Sequence, residues 1–174
     1  MAGTILGGNA ASAALTVTNL HSLASSQNGL AGWSSAAFDN TSNKYLDMQI
    51  GVKFVTPATA RFAGFINIYV IPALNDTPTW PATATGTVGT EGALSFSDVQ
   101  KRDAVCELIA QIPVTATASD VFEKLCAGIA SRFGGALPSH YALFISQNCA
   151  TTTAAGLAAS GSAVYATPKI GNYT

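Results

Sequence analysis

The chain has 174 residues and a mass of 17.7 kDa, the size of one domain able to bury a sizeable core. Its net charge is −1 and only 10% of residues are charged, against roughly 25% in ordinary domains, which removes the electrostatic case for nucleic-acid binding. Apolar residues reach 48% and mean hydropathy is +0.31, but much of this is alanine, and the longest apolar run, Phe62–Leu74, is too short to cross a bilayer.

No charged side chain precedes Asp39 if His21 is set aside. The beginning of the chain therefore lacks the basic segment of a secretory signal, and Gly7, Gly8 and Asn9 interrupt any apolar one. Residues 1–14 are small, uncharged and without period, so they cannot order themselves by burial. They are expected to form an N-terminal arm, with a single domain over 15–174. Ile5 and Leu6, the large apolar residues there besides Met1, are the candidate contacts with another molecule. The rival arrangement folds the arm back as an edge strand on its own domain.

Leu15–Ala24 reads as a first strand, with Leu15, Val17 and Leu23 on one side, followed by a loop and an apolar return over Trp33–Phe38. Asp39-Asn40-Thr41-Ser42-Asn43 is a dense turn signal. The cleanest alternation in the chain comes next. Leu46, Met48, Ile50, Val52 and Phe54 alternate with Asp47, Gln49, Gly51 and Lys53, which predicts a strand with one wet face and those five apolar residues buried.

The stretch Arg61–Trp80 organises the rest. Phe62, Ile66, Ile68 and Val70 share one face and Phe65, Tyr69 and Ile71 the other, broken by Asn67, as in a strand buried on both sides. Pro72 stops it, and residues 73–92, with Pro78, Pro81 and three glycines, read as a long surface loop. A short strand over Ala93–Val99 follows, then a longer one in which Ala104, Cys106, Leu108, Ala110 and Ile112 alternate with polar residues. Pro113 ends it or confines it to a sheet edge.

Over 120–133, Val121, Phe122, Leu125, Cys126, Ile129, Ala130 and Phe133 fall at helical spacing, with Ser119 placed to cap and Gly134-Gly135 to end a short helix. A strand is the rival, since Val121, Leu125 and Ile129 also fit period two, although Glu123 spoils it. His140–Ser146 reads as a strand, 147–156 as a turn region, and Leu157–Tyr165 as a last strand of small residues. About seven to nine strands against one short helix predict an all-β chain folded as an antiparallel β-sandwich.

Chemistry-bearing residues are few. His21 and His140 are far apart, and neither has a ligand at metal-binding spacing. Ser139 and His140 are adjacent and so point opposite ways on a strand. Asp98, Asp103 and Glu107 read as a solvated mixed-charge face rather than paired catalytic acids. Cys106, Cys126 and Cys149 are widely spaced and odd in number, which predicts buried free thiols in a chain made in a reducing cytoplasm. Trp33 and Trp80, with Tyr69, could line a sugar-binding surface if both indoles were exposed side by side. These residues predict no catalytic residue, no cofactor and no metal.

Four segments carry a resemblance. They are Ser22-Leu23-Ala24-Ser25 with Phe38-Asp39-Asn40-Thr41-Ser42-Asn43-Lys44-Tyr45-Leu46-Asp47, then Ile68–Asp76, then Phe133–Phe144, and last Leu157–Ser162. In this order they resemble virion structural proteins of tailed bacteriophages, in particular jelly-roll head-decoration (cement) proteins. Asn75-Asp76-Thr77 departs from the Asp-Gly-type turn of that pattern. The resemblance implies a jelly-roll-like sandwich on the capsid surface of a virion, made in the host cytoplasm. It implies binding to the major capsid protein and to copies of the chain, as a dimer or trimer, without catalysis and without nucleic acid or membrane. A tail or fibre component, or a carbohydrate-binding module, is the alternative.

Overall fold

The computed structural model describes residues 5–58, 63–149 and 156–173. In chain order the strands are β1 (Ile5–Asn9), β2 (Ala13–Ala14), β3 (Ala31–Ser34), β4 (Phe38–Asp39), β5 (Asp47–Val55) and β6 (Gly64–Pro72). Then come β7 (Ala84–Thr85), β8 (Gly92–Phe96), helix α1 (Val99–Val105), β9 (Glu107–Val114), β10 (Val121–Cys126), a 3-10 turn (Ala130–Phe133), β11 (His140–Gln147) and β12 (Ala163–Tyr173). The strands form two antiparallel sheets packed as a sandwich. The first has the order β1-β12-β5-β10, with β2 also on β12; the second has the order β7-β8-β3-β11-β6-β9, with β4 on β11.

Side-chain alternation explains the layering. In β5, Met48, Ile50, Val52 and Phe54 are buried while their neighbours stay partly exposed. They meet Ile66, Ile68 and Val70 of β6 and Tyr141, Leu143 and Ile145 of β11 in the main core. Each such side chain contributes about 1.5–3 kcal/mol by leaving water. Leu46 does not join them. It is 52% exposed, because it lies one residue before β5, where its N–H is held by the Lys169 carbonyl.

β6 is buried on both sides over Ile66–Ile71, as its composition requires. Its second face, Tyr69 and Ile71, packs with Val88, Leu94, Phe96, Cys106, Ala142 and Phe144. The 73–92 segment is thus a cover as well as a surface loop: Val88 is buried and Trp80 packs against this smaller cluster. Phe65 is 40% exposed, beyond the reach of that cover, and Phe62 lies outside the described residues.

Several expectations are corrected. The chain forms strand, not helix, at Val121–Cys126, because β10 takes its ladder from β5 and Gly128, at φ +75°, separates it from the 3-10 turn. The helix is instead α1, started by Asp98, whose carboxylate accepts from the Lys101 N–H at 2.8 Å. The alternation through Ala104–Ile112 is broken twice, by α1 and by a bulge at Ile109 opposite Ile68/Tyr69, which leaves Leu108 39% exposed. Pro113 does sit on an edge, since β9 ends the second sheet. Residues 15–24 form turns rather than a strand, although Leu15, Val17 and Leu23 still pack on the core and Leu20 is buried. The last strand starts at Ala163 and runs to Tyr173, later and longer than 157–165.

Candidate interaction surface

The described part of the 1–14 segment is not a free arm. Ile5 and Leu6 begin β1, whose register places Ile5 opposite Tyr173 and Leu6 opposite Asn172. Residues 13–14 return to the same strand as β2. The rival arrangement, an edge strand on its own sandwich, is the observed one. No side-chain period was needed for it, because β12 supplies the ladder.

This pairing has an unusual shape. β5 follows β12 only from Ala163 to Lys169, and from there to Tyr173 the described partner of β12 is β1. The two strands therefore run beyond the sandwich as a two-stranded ribbon. Gly7, Gly8, Asn9 and Gly171 are exposed and Ile170 is half-buried, so among the ribbon residues whose burial is described none belongs to the core. The Ala10 N–H donates to the Pro168 carbonyl at 2.8 Å, which sets the phase of the ladder. By that phase Leu6, Gly8 and Ala10 turn their backbone groups toward β12, and Ile5, Gly7 and Asn9 turn theirs outward. Pro168, which has no N–H to give, lies where the partner changes from β1 to β2.

The outer face of the first sheet carries a row of apolar character next to this ribbon. Leu125 and Tyr165 both register with Gly51, one on each side, and are 63% and 46% exposed. A Cβ at Gly51 would meet little besides the Tyr165 Cβ at 3.9 Å, so the row has a shallow notch at its middle.

The chemistry-bearing residues are spread through the fold and are mostly engaged in holding it. Asp98 caps α1 and pairs with Lys101 at 3.4 Å, Asp103 pairs with Arg102 at 2.8 Å, and Glu107 lies 3.8 Å from Arg132. Hydrogen bonds from Thr41 hold the exposed Asp39 carboxyl below its usual range, and the His140 Nε2 lies 3.5 Å from it. That pairing was not legible in sequence, because β4 reaches β11 only through the sheet. Among the described residues no group of three His, Cys, Asp or Glu side chains is placed to hold a metal ion.

The thiols of Cys106, Cys126 and Cys149 are free and buried, as expected. Burial pushes Cys106 and Cys149 up to about 12 and Cys126 upward as well. Trp33 is buried at 0% exposure and its indole N–H donates to Glu91 Oε1 at 2.8 Å. With Trp33 buried, the pair of exposed indoles required by the sugar-binding alternative does not form.

Fold and surface together define an all-β sandwich with a projecting ribbon poor in charge. No protein-family profile matches the chain, and no curated protein matches it in sequence. Among solved structures it is similar to the VP2 subviral particle of infectious bursal disease virus, at 14% identity and a TM-score of 0.22 over 98% of this chain. It is also similar to the structure of the Gx strain of that virus, at 15% identity and a TM-score of 0.20 over 99%. The chain spans 42% and 43% of the length of those two chains. Scores this low carry no argument about function.

Proposed function

We propose that this chain is a structural virion protein of a tailed bacteriophage that binds the outside of the head and stabilises the assembled shell. The observation that carries the reading is the ribbon: a sandwich poor in charge extends two paired strands past its own core, with backbone groups left to face another protein. The four segments that resemble head-decoration proteins support it; two of them run into β6 and β11 of the second sheet, and the others form β4, the entry to β5 and the turn before β12.

In this reading the partners are the major capsid protein and copies of the chain itself. Ile5 and Leu6, at the far end of the ribbon, lie in the strand that makes the intermolecular contact. The protein works by mass action: by binding the completed shell better than free subunits, it shifts the balance toward the shell. An oligomer touching several subunits at once gains avidity without any tight single contact. No catalysis, cofactor, nucleic acid or membrane enters the mechanism. A place in the tail or fibre is the remaining alternative.

The test mixes the purified chain with purified phage heads and images them by electron cryomicroscopy. Regular density on the shell exterior, with a higher temperature of head disruption, is the expected result. Density confined to the tail, or bare shells with unchanged disruption temperature, would overturn the proposal.

A further inference from the structure

The outward edge of β1 has a symmetry of its own. Ile5, Gly7 and Asn9 present their N–H and C=O groups in one line, with Gly7 at the centre. An antiparallel copy of the same edge would place Gly7 opposite Gly7, and Ile5 opposite Asn9 in both directions. Each outward residue would then donate one hydrogen bond and accept one.

Nothing in the strand opposes such an approach. Sheet edges are normally guarded by lysine, proline, a bulge or a cover. Residues 5–9 contain no charge and no proline, and β1 pairs in unbroken register. A Cβ at Gly7 would find nothing within 4 Å, so no other group stands over the strand on that face at its centre. The ribbon's other edge is less free: the Leu46 N–H already occupies the Lys169 carbonyl, and Lys169 brings a charge. A two-stranded ribbon without a core is at best marginally stable in water, whereas a ribbon inside a wider sheet is not limited in this way.

We propose that β1 is a self-association strand: two copies of this chain pair β1 to β1, antiparallel about a two-fold axis at Gly7, and join their first sheets into one continuous sheet. The order across the dimer is then β10-β5-β12-β1 followed by β1-β12-β5-β10 of the second copy. Such a contact is isologous and closes on itself, giving a dimer rather than a filament. It stands whether or not the protein binds phage heads, and a failure of one idea is distinguishable from a failure of the other, because the experiment below uses free protein alone.

The experiment is sedimentation velocity on the full chain and two variants, with hydrogen exchange read at single amides. Gly7→Pro removes an outward N–H while leaving the ladder to β12 intact, since proline is tolerated on an edge when its nitrogen faces solvent. Gly171→Pro makes the same change on the opposite edge of the ribbon. The native chain and Gly171→Pro are expected to sediment as dimers, and Gly7→Pro to dissociate at least about tenfold more readily, from loss of the central pair of hydrogen bonds. In the native chain the Gly7 and Asn9 amides should exchange slowly at high concentration and faster on dilution. A native chain that is monomeric or trimeric would overturn the proposal, as would a Gly7→Pro dimer of unchanged strength or equal loss in both variants. If Gly7→Pro fails to fold, the amides decide: rapid exchange at Gly7 and Asn9 at every concentration overturns it, and concentration-dependent protection supports it.

Discussion

Ile50 lies at the middle of β5 with 0% exposure, between Ala166 and Cys126 on the flanking strands. A carboxylate there would lose its water and gain no partner, at a cost of several kcal/mol. Ile50→Asp should therefore unfold the chain or lower its denaturant midpoint steeply, and a stable, soluble Ile50→Asp variant would show the register to be wrong. Glu91 makes the opposite point about a charge near the surface. Burial pushes its carboxyl up, but hydrogen bonds from the Trp33 indole and from the backbone and side chain of Asn19 outweigh this and hold it below 4.5. A folded-state value below the unfolded one stabilises the fold above about pH 4.5 and loses that contribution as pH falls through the lower value. In a Trp80→Phe background, Trp33 fluorescence should thus change on acidification below pH 4.5, and Glu91→Gln should abolish the transition. The three buried thiols should be silent to a thiol reagent at pH 8 until the protein is denatured, when all three react. Replacing each by Ala should cost about 1 kcal/mol in cavity energy, without loss of fold.

At the scale of elements, close approach matters more than composition. Gly32 of β3 lies so near β11 that a Cβ would sit 2.3 Å from the Ile145 carbonyl and 2.7 Å from the Phe144 ring. Gly32→Ala must push β3 away from the central strand of the second sheet, and should cost about 3 kcal/mol or more, read from chemical denaturation. A destabilisation under about 0.5 kcal/mol would mean that the two strands are not packed this way. The elements differ in how far sequence revealed them. β5 was legible because one of its faces is wet, so polarity alternates; β6 and β11 were legible because runs such as Phe65–Ile71 and His140–Ser146 suit only a doubly covered strand. α1 escaped notice because it is only seven residues long and its end merges with the alternation that leads into β9. The helical spacing of Val121–Phe133 was an accident of a strand joined to a 3-10 turn. β1 left no side-chain signal, since its order comes from backbone pairing with residues 160 or more positions away. The open edge of the ribbon was invisible for the same reason.

For the whole molecule, the position of the last strands has a consequence in time. β12 is not an edge but an interior member of the first sheet, between β1 and β5, and β11 is the middle of the second, between β3 and β6. A chain emerging from the ribosome has made β1, β3, β5 and β6 long before the strands that join them exist. Until Ala163–Tyr173 has left the exit tunnel, the first sheet is a set of separated pieces, and the apolar face of β5 has no neighbour on the β12 side. Ordering such distant pairs first demands the entropy of closing a long loop, which slows folding. The nascent chain therefore waits with its sheets unjoined, holding at most local pairs such as β5 with β10 and β6 with β9, and the emergence of β11 and β12, rather than of any early segment, is the event that commits it to its native form.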